Sequence, residues 1–242
     1  MKSLTRPLVV IPAYNEAARL GHVLQGVRAA DATLAILVVD DGSTDDTAGV
    51  ARAAGARVVR LPFNMGAGVA AQTGYKFALA EGYDCVVQLD ADGQHEPADI
   101  PALLGVVVRG EADVAIGSRF LGRGEYRVGA LRRVGMGLFR LLAYLMTGVR
   151  FSDVTSGFRA LHADVIRFFT TEWYPTDYAD ADVLITLRQA GFTIKEVPVR
   201  MYAREGGHSM HAGLRPVYYV FKMLLSVALA PVRRVVFERK GR

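Results

Sequence analysis

The first half of the chain alternates between short apolar runs rich in Val, Ile and Leu and longer stretches rich in Ala and Gly. The apolar runs predict strands at Leu8–Ile11, Leu34–Val39, Arg57–Leu61, Cys85–Leu89 and Asp113–Ile116. The stretches between them predict helices at Glu16–Ala30, Thr44–Ala54, Gly66–Ala80 and Pro97–Arg109. Because the runs are apolar at consecutive positions, the strands are expected in a parallel sheet that is covered on both faces. Right-handed crossovers then predict a doubly wound α/β sheet.

The second half follows a different pattern, in which no further Gly-rich turn follows a strand. It predicts helices at about Gly129–Thr147, Ala179–Ala190 and Leu214–Leu229, a polar segment at Ser152–Arg159 and a strand at Thr193–Met201. No repeat or low-complexity linker divides the chain, so one domain over residues 1–213 and an amphipathic helical element over residues 214–242 are predicted. Local signals predict that Ser43 or Thr44 caps the second helix and that Glu96-Pro97 opens the fourth.

Composition narrows the class of protein. The single cysteine, Cys85, lies within an apolar run, which excludes a disulfide framework and a cysteine-based metal site and favours a reducing compartment. The first residues lack the long apolar core of a signal peptide, so a cytosolic location is expected. The longest apolar stretch, residues 216–232, contains Lys222 and falls short of the ~20 residues that a simple membrane-spanning helix needs.

Charge is divided unevenly along the chain. Residues 1–118 carry 9 Lys and Arg against 14 Asp and Glu, whereas residues 119–242 carry 20 against 10. Seven arginines between residues 119 and 150, and more cations in the tail, alternate with Leu, Met, Phe and Tyr. Such segments are typical of helices lying in the headgroup region of an anionic membrane, although a helix packed on the domain with a solvated basic face is the alternative. Aliphatic side chains among the cations argue against nucleic acid as a partner.

Polar residues cluster where three of the predicted strands end, at residues 12–16, 40–46 and 90–95. In an open parallel sheet these carboxyl ends are where ligands bind. Asp90 and Asp92 are two positions apart as a strand becomes a loop, so their charges would repel each other unless a cation neutralised them. Carboxylate oxygens suit Mg²⁺ or Mn²⁺, and the carboxamide oxygen of Gln94 adds a neutral ligand. We expect His95 to be a surface or hydrogen-bonding residue and leave it out of the metal site.

Several motifs together resemble those of a glycosyltransferase of family 2 with the GT-A fold, a Rossmann-like and mostly parallel sheet. They are Ile11-Pro-Ala-Tyr-Asn-Glu16, Val39-Asp-Asp-Gly-Ser-Thr-Asp45, Asn64-Met-Gly66, Gln88-Leu-Asp-Ala-Asp-Gly-Gln-His95 and Gly117-Ser-Arg119. Three later segments resemble the polyprenyl-phosphate branch, which includes the dolichol-phosphate mannose synthases. They are Asp153-Val-Thr-Ser-Gly-Phe-Arg159, Glu196-Val-Pro-Val199 and Arg204-Glu-Gly-Gly-His-Ser209. The resemblance implies transfer of a hexose, with inversion, from a nucleotide sugar of the GDP-mannose or UDP-glucose type to a polyprenyl phosphate.

The resemblance also implies a role for particular residues. The nucleotide-sugar site comprises Pro12, Tyr14, Glu16, Val39, Asp41, Asp90, Ala91, Asp92, Gln94, Arg119 and Arg204. The metal, Mg²⁺ or Mn²⁺, is held by Asp90, Asp92 and Gln94, and the catalytic residues are Asp92, Asp182 and Arg119. The acceptor phosphate is assigned to Arg133, Ser156, Arg159 and Ser209. Met210 stands where relatives often carry Lys after this Ser, so a phosphate-binding charge is missing or is supplied by a neighbouring histidine.

The chemistry of the acceptor decides the role of Asp182. A hydroxyl acceptor needs a general base, for which Asp182 is the candidate. A phosphate monoester is already largely dianionic at pH 7, so Asp182 would then only orient the acceptor or the sugar. Two alternatives stay open at this point: a GT-A transferase with a hydroxyl acceptor, and a non-catalytic nucleotide-sugar-binding scaffold for a membrane partner. The protein is expected at the cytoplasmic face of the membrane, as a peripheral protein. A small membrane protein or a second copy of the chain is the expected type of protein partner.

Overall fold

A computed structural model of the protein describes residues 6–122, 130–171, 174 and 181–202, without the side chains of residues 130–134 and 181. The strands are β1 (Pro7–Ala13), β2 (Ala35–Asp40), β3 (Arg57–Arg60), β4 (Cys85–Gln88), β5 (Val114–Ser118), β6 (Arg159–His162) and β7 (Ile194–Pro198). The helices are α1 (Ala17–Ala30), α2 (Thr47–Ala53), α3 (Ala67–Ala80), α4 (Ile100–Val108), α5 (Ala130–Thr147), α6 (Ala163–Phe169) and α7 (Ala181–Gln189), with a 3-10 turn (Pro97–Asp99) before α4. The predicted C-terminal helix, Arg204, Ser209, Met210 and the boundary at residue 213 lie outside the described residues.

The strands form one seven-stranded sheet in the order β3-β2-β1-β4-β6-β5-β7. All neighbouring pairs are parallel except the two that involve β6, which runs antiparallel to both β4 and β5. The five strands predicted in the first half, and the one predicted after α7, are confirmed with shifted ends. Strand β6 was not predicted. Its first residue, Arg159, lies in the segment predicted as polar, and its four residues contain no apolar run.

Helices cover both faces of the sheet, as the uninterrupted apolar strands predict. One core packs under α1, α2 and α4, and its members include Leu20, Leu24 and Leu103. The other core packs under α3, α5, α6 and α7 and is rich in aromatic residues, among them Tyr75 and Phe169. Strand residues alternate between the two cores, so every central strand is buried on both faces. This construction leaves the loops at the sheet edges as the places for ligand chemistry.

Of the two local predictions about helix starts, one is wrong and one is confirmed. The N-cap of α2 is Asp46, and neither Ser43 nor Thr44 caps that helix. The Ser43 hydroxyl instead accepts a hydrogen bond from the backbone N–H of Asn15, because the loop after β2 is held against the loop after β1. The predicted opening of the fourth helix at Glu96-Pro97 is confirmed: the Glu96 carboxylate accepts from the N–H of Ala98, although the first turn is 3-10.

Helix α5 exposes part of its apolar surface. Leu138, Leu141 and Leu145 are spaced at helical intervals on it and are 40%, 53% and 69% exposed. Its other side is buried, since Phe139 and Ala143 belong to the core under the sheet. Across the described parts of the chain, we find no helix with the length and apolarity required to traverse a bilayer.

Candidate active site at the carboxyl edge of the sheet

The strand order places the ends of β2, β1 and β4 side by side. Register pairs Ala13 at the end of β1 with Asp40 at the end of β2, and Val10 with Gln88 at the end of β4. The three polar segments predicted as strand ends therefore lie along one edge of the sheet. This confirms the expected neighbourhood of the segments that begin at residues 12, 40 and 90.

The loop after β2 uses its acids to hold neighbouring loops. The Asp41 carboxylate accepts from the backbone N–H groups of Met65 at 2.7 Å and Gly66 at 2.9 Å, and the residue is 3% exposed. Asp40 is fully buried, accepts from the Ser43 N–H and lies 3.3 Å from the Arg60 guanidinium. Asp41, predicted as part of the nucleotide-sugar site, thus uses one acceptor position of each oxygen to hold the turn that begins α3.

Glycine at position 42 is required by the same packing. Gly42 has a φ of +70°, and a Cβ built on it would come within 2.5 Å of the Phe63 carbonyl carbon. Any side chain there would be strained and would also push the loop after β3 away from Asp41. The loop after β3 is thus held by a carboxylate and by close backbone approach.

The loop after β1 is attached to the loop after β2 by backbone-to-side-chain hydrogen bonds. Asn15, in the left-handed region at φ 55°, accepts at its Oδ1 from the Thr44 N–H, and the Glu16 N–H donates to the Thr47 hydroxyl at 2.9 Å. Glu16 is buried and paired with Arg19. Tyr14 remains 42% exposed beside this framework. Of the residues predicted here for the nucleotide, Tyr14 presents the largest open surface, whereas Pro12 is half-buried and Val39 lies inside the sheet.

The end of β4 differs because its first carboxylate is open to solvent. The Asp90 side chain is 49% exposed. Asp92 accepts at Oδ1 from the Gln94 N–H, and the Gln94 side-chain amide donates to the Tyr202 carbonyl at 3.1 Å, which leaves its oxygen as an acceptor. A Cβ at Gly157 would lie 3.0 Å from both Asp90 oxygens, so the absence of a side chain there keeps this space clear.

His95, which we expected at the surface or in a hydrogen bond, is buried and hydrogen-bonded. Its Nδ1 accepts from the Asp90 N–H at 3.1 Å, and its ring stacks on Phe158 with centroids 5.0 Å apart. Its Nε2 is buried, has no hydrogen-bond partner among the described residues and lies 3.7 Å from Asp90 Oδ2. Burial lowers the pKa of His95 to about 4, although Asp92 acts in the opposite direction. The histidine is therefore neutral at pH 7.

Arg119, predicted to hold donor phosphate, is engaged in a buried ion pair. Its Nε donates to Asp153 Oδ2 at 2.6 Å and its Nη2 donates to Oδ1 at 3.2 Å, with Arg119 6% and Asp153 0% exposed. Glu196 on β7 in turn accepts from the N–H groups of Ser152 and Asp153. Glu196 thereby fixes the loop that presents Asp153, and Asp153 fixes the guanidinium.

Two of the residues predicted for the acceptor phosphate, Ser156 and Arg159, are buried and in contact: the Arg159 Nε donates to the Ser156 carbonyl at 2.7 Å. Arg133 belongs to α5, and its side chain lies outside the described set. Asp182 lies in the first turn of α7. Because α7 leads into β7 by a short turn, that first turn lies toward the carboxyl edge of the sheet.

A divalent cation fits the donor set at the end of β4. Asp90 and Asp92 supply carboxylate oxygens and Gln94 an amide oxygen, which are the ligands that Mg²⁺ and Mn²⁺ prefer. In the portion of the chain that the structure describes, no group of three or more His, Cys, Asp or Glu side chains is arranged to hold a metal ion by itself.

Sequence reasoning missed three residues that shape this edge: His95, Asp153 and Glu196. Asp153 and Glu196 are conspicuous within their motifs, but their partners lie far away in the sequence. His95 follows the acidic motif directly, and that adjacency was the only signal available for it. All three act through contacts that only the fold creates.

Comparison with known proteins gives a consistent result. The sequence pattern of the family described as glycosyl transferase family 2 matches residues 8–169. The chain is 33% identical over 227 residues to the polyprenol monophosphomannose synthase of Mycolicibacterium smegmatis, covering 90% of this chain and 85% of that protein. It is 35% identical over 216 residues to the undecaprenyl-phosphate mannosyltransferase of Micrococcus luteus, covering 86% and 88%.

The fold is also similar to that of solved structures. Glucosyl-3-phosphoglycerate synthase from Mycobacterium tuberculosis, crystallised with Mn²⁺ and UDP-glucose, superposes with a TM-score of 0.69 at 24% identity, covering 93% of this chain and 78% of that one. Such a likeness shows the architecture alone. It agrees with the predicted GT-A fold, including the mostly parallel sheet.

Proposed function

Because the chain belongs to glycosyl transferase family 2, we propose that it transfers a hexose, with inversion, from a nucleotide sugar to a polyprenyl phosphate. The observation that carries this proposal is the open carboxylate of Asp90 at the carboxyl end of β4, beside Asp92 and Gln94. The names of the relatives from M. smegmatis and M. luteus support the acceptor class. The donor base and the sugar are left to experiment.

The residues proposed for the metal are Asp90, Asp92 and Gln94. When bound, Mg²⁺ or Mn²⁺ neutralises the charge that develops on the departing diphosphate. The half-exposed Asp90 side chain and the clearance at Gly157 leave room for a ligand on that side of the loop. A guanidinium has five N–H donors, so Arg119 can pair with Asp153 and still contact a donor phosphate, as proposed. Arg204 is proposed to contact the donor phosphates as well.

The nucleotide is proposed to lie along the ends of β1 and β2. Tyr14 offers an exposed ring for contact with a base. Asp41 contributes there mainly by holding the turn at residues 65–66 in place. Recognition of the nucleotide then depends on the shape of three joined loops, together with backbone atoms near Pro12, Val39 and Ala91.

The acceptor is proposed to be a phosphate monoester, which needs no general base because it is largely dianionic at pH 7. Asp182, in the first turn of α7 on the carboxyl-edge side of the sheet, would orient the acceptor or the sugar. We therefore expect Asp182→Asn to slow turnover less than Asp92→Asn, measured as initial rates at saturating donor. Equal and complete losses in both variants would contradict this division of roles.

A donor screen tests the reaction itself. GDP-mannose, UDP-glucose and UDP-N-acetylglucosamine, each labelled in the sugar, are incubated with the full chain, Mn²⁺ and a short polyprenyl phosphate. Label that enters the organic phase only in the presence of the acceptor supports the proposal. Label recovered only in water-soluble products would favour a hydroxyl acceptor, and no transfer with an intact metal site would favour a nucleotide-sugar-binding scaffold.

Association with the cytoplasmic face of an anionic membrane is proposed from α5. Its exposed leucines lie in a segment in which arginines outnumber acids, which suits a surface that is both apolar and anionic. Cations beside exposed leucines also suit an acceptor that is a phosphate with a lipid tail. The basic tail, which lies outside the described residues, is proposed to add to this attachment.

Flotation with liposomes of anionic lipid checks the membrane proposal. The double change Leu141→Glu and Leu145→Glu should markedly reduce the floated fraction, because each places a charge at an exposed apolar position. Val108→Glu is the matched control, since Val108 is an exposed apolar residue on the opposite helical layer. A chain that stays unbound with lipid, with or without residues 214–242, would refute membrane association.

A further inference from the structure

We infer that His95 is a positioning residue for the Asp90 carboxylate: it is a fixed Nε2–H donor toward which Asp90 turns when the cation is bound. The inference rests on the proposed function, because it takes Asp90 to be a metal ligand. It adds a residue that neither the sequence motifs nor the proposed ligand set includes. His95 is not proposed to touch the metal or the substrate.

The state of the ring follows from its Nδ1 contact. The Asp90 backbone N–H donates to Nδ1 at 3.1 Å, so this nitrogen is an acceptor and carries no proton. In a neutral imidazole the proton then resides on Nε2. His95 thus accepts from the Asp90 backbone N–H, and its Nε2 lies 3.7 Å from the Asp90 carboxylate.

The Nε2 atom is buried without a hydrogen-bond partner among the described residues. Buried donors normally have a hydrogen-bond partner, because a buried donor without one has lost its contact with water and gained no hydrogen bond in return. The nearest acidic oxygen is Asp90 Oδ2 at 3.7 Å, which is less than about 1 Å beyond ordinary N–H···O distance. A small rotation of the Asp90 side chain would therefore satisfy the orphaned donor.

The two partners differ in their freedom to move. The His95 ring is held by its stack on Phe158, and its backbone forms a bridge with Met201. The Asp90 side chain is half-exposed, and no side chain at Gly157 obstructs it. The buried ring is thus the more constrained of the two side chains. A donor that holds one carboxylate oxygen directs the other toward a cation, as hydrogen-bonded outer residues commonly do in metal sites.

A purely structural role for His95, limited to accepting from the Asp90 N–H, makes a different prediction. His95→Asn retains an acceptor near the position of Nδ1 but removes the donor at Nε2. His95→Gln retains an N–H donor near the position of Nε2 but removes the Nδ1 acceptor. The two variants therefore separate the two contacts, and both are expected to lower the melting temperature.

The test is direct Mn²⁺ binding to the full chain, followed by the electron paramagnetic resonance signal of free Mn²⁺ in the presence of UDP or GDP. We expect His95→Asn to raise the dissociation constant for Mn²⁺ about 10- to 100-fold, the range typical of outer-shell partners. His95→Gln should stay within about threefold of the wild type on the same reasoning. Wild-type affinity in His95→Asn, or equal weakening in both variants, would overturn the inference.

The outcomes also separate this inference from the proposed function. If the wild-type chain binds no Mn²⁺ with either nucleotide, the proposed metal site fails and the inference fails with it. If the wild type binds and transfers sugar but the asparagine variant binds Mn²⁺ equally well, only the inference fails. Should His95→Asn not fold, near-wild-type Mn²⁺ affinity in a destabilised His95→Gln supports the inference, and a large loss there overturns it.

Discussion

The loops after β2 and β4 carry similar aspartate-rich sequences, yet they use their carboxylates in different ways. After β2, Asp40 and Asp41 are buried and accept from backbone N–H groups of their own or the neighbouring loop. After β4, the Asp90 side chain stays half-exposed, and a glycine leaves the space beside it clear. The acids of the first loop thus help to build the edge of the sheet, whereas Asp90 of the second loop presents half of its side chain to solvent.

This difference shows what an acidic motif at a strand end can mean. Hydrogen bonds from backbone N–H groups hold a carboxylate in place and use its acceptor positions, which makes it a part of the fold. Two neighbouring carboxylates, one of them exposed to solvent, repel each other, and a cation between them would reduce that repulsion. Sequence spacing does not distinguish the two cases, because the donors to Asp41 lie more than twenty residues away.

The largest effect on stability is expected at Asp153, whose fully buried carboxylate pairs with Arg119. Asp153→Asn should destabilise the protein by about 3–5 kcal/mol, because it leaves the buried Arg119 guanidinium without its counter-charge. Urea unfolding monitored by circular dichroism measures the loss. Glu111→Gln, which disrupts an exposed pair with Lys195, is the control and should change stability little. Similar small changes in both variants would refute the assigned role of Asp153.

The next effect concerns activity rather than stability. Asp90→Asn should lower kcat/KM about 100-fold, or about 3 kcal/mol of transition-state stabilisation, while the unfolding midpoint stays close to that of the wild type. Initial rates over a range of donor concentrations provide the measurement. Glu81→Gln removes one negative charge at the opposite edge of the sheet and should leave the rate unchanged. If Asp90→Asn loses activity only in proportion to a loss of stability, Asp90 has a structural role like that of Asp40 and Asp41.

A smaller effect is expected at Asp41, on stability rather than on activity. Asp41→Asn should cost about 1–3 kcal/mol of stability, because an amide replaces one of two acceptors that backbone N–H groups require. Hydrogen exchange at Met65 and Gly66 should increase more than exchange elsewhere. The reverse result, a stable protein with unchanged exchange at these amides and weak nucleotide binding, would make Asp41 a ligand residue.

The smallest effect tests the clearance beside Asp90. Gly157→Ala places a methyl group 3.0 Å from both carboxylate oxygens, so we expect a loss of about threefold to tenfold in activity, roughly 1 kcal/mol. Gly21→Ala is the matched control, because a Cβ at Gly21 meets its nearest neighbour at an ordinary 3.7 Å. Unchanged activity in Gly157→Ala would mean that the space beside Asp90 is not used.

Much of the fold was predictable from the sequence, since uninterrupted apolar runs identify parallel strands buried on both faces. Those runs identify β1, β2, β3 and β4 as strands but do not specify their order in the sheet, which is β3-β2-β1-β4. β6 was missed because Arg159–His162 is short and has polar residues at both ends. The predicted cap of α2 was wrong because the Ser43 hydroxyl accepts from a residue in another loop, a contact that local sequence propensity does not indicate.

The candidate site was predictable in its ligand types and less so in its supporting contacts. The spacing of Asp90 and Asp92 at a strand end, together with the family resemblance, predicted a cation site there. The burial of His95 depends on Phe158, and the pairing of Arg119 depends on Asp153, each separated from its partner by tens of residues. These contacts arise from the sheet order, which apolar periodicity does not specify.

The position of β6 has a consequence for how the chain acquires its fold. β6 pairs with β4 on one side and β5 on the other, although both precede it in the sequence. During synthesis, β4 and β5 therefore each present an unpaired edge until residue 162 has left the ribosome, and open strand edges are prone to pair wrongly. The completed sheet also joins the two acidic loops and the Arg119 loop into one unit. A fragment ending after β5 would lack the strand that joins them.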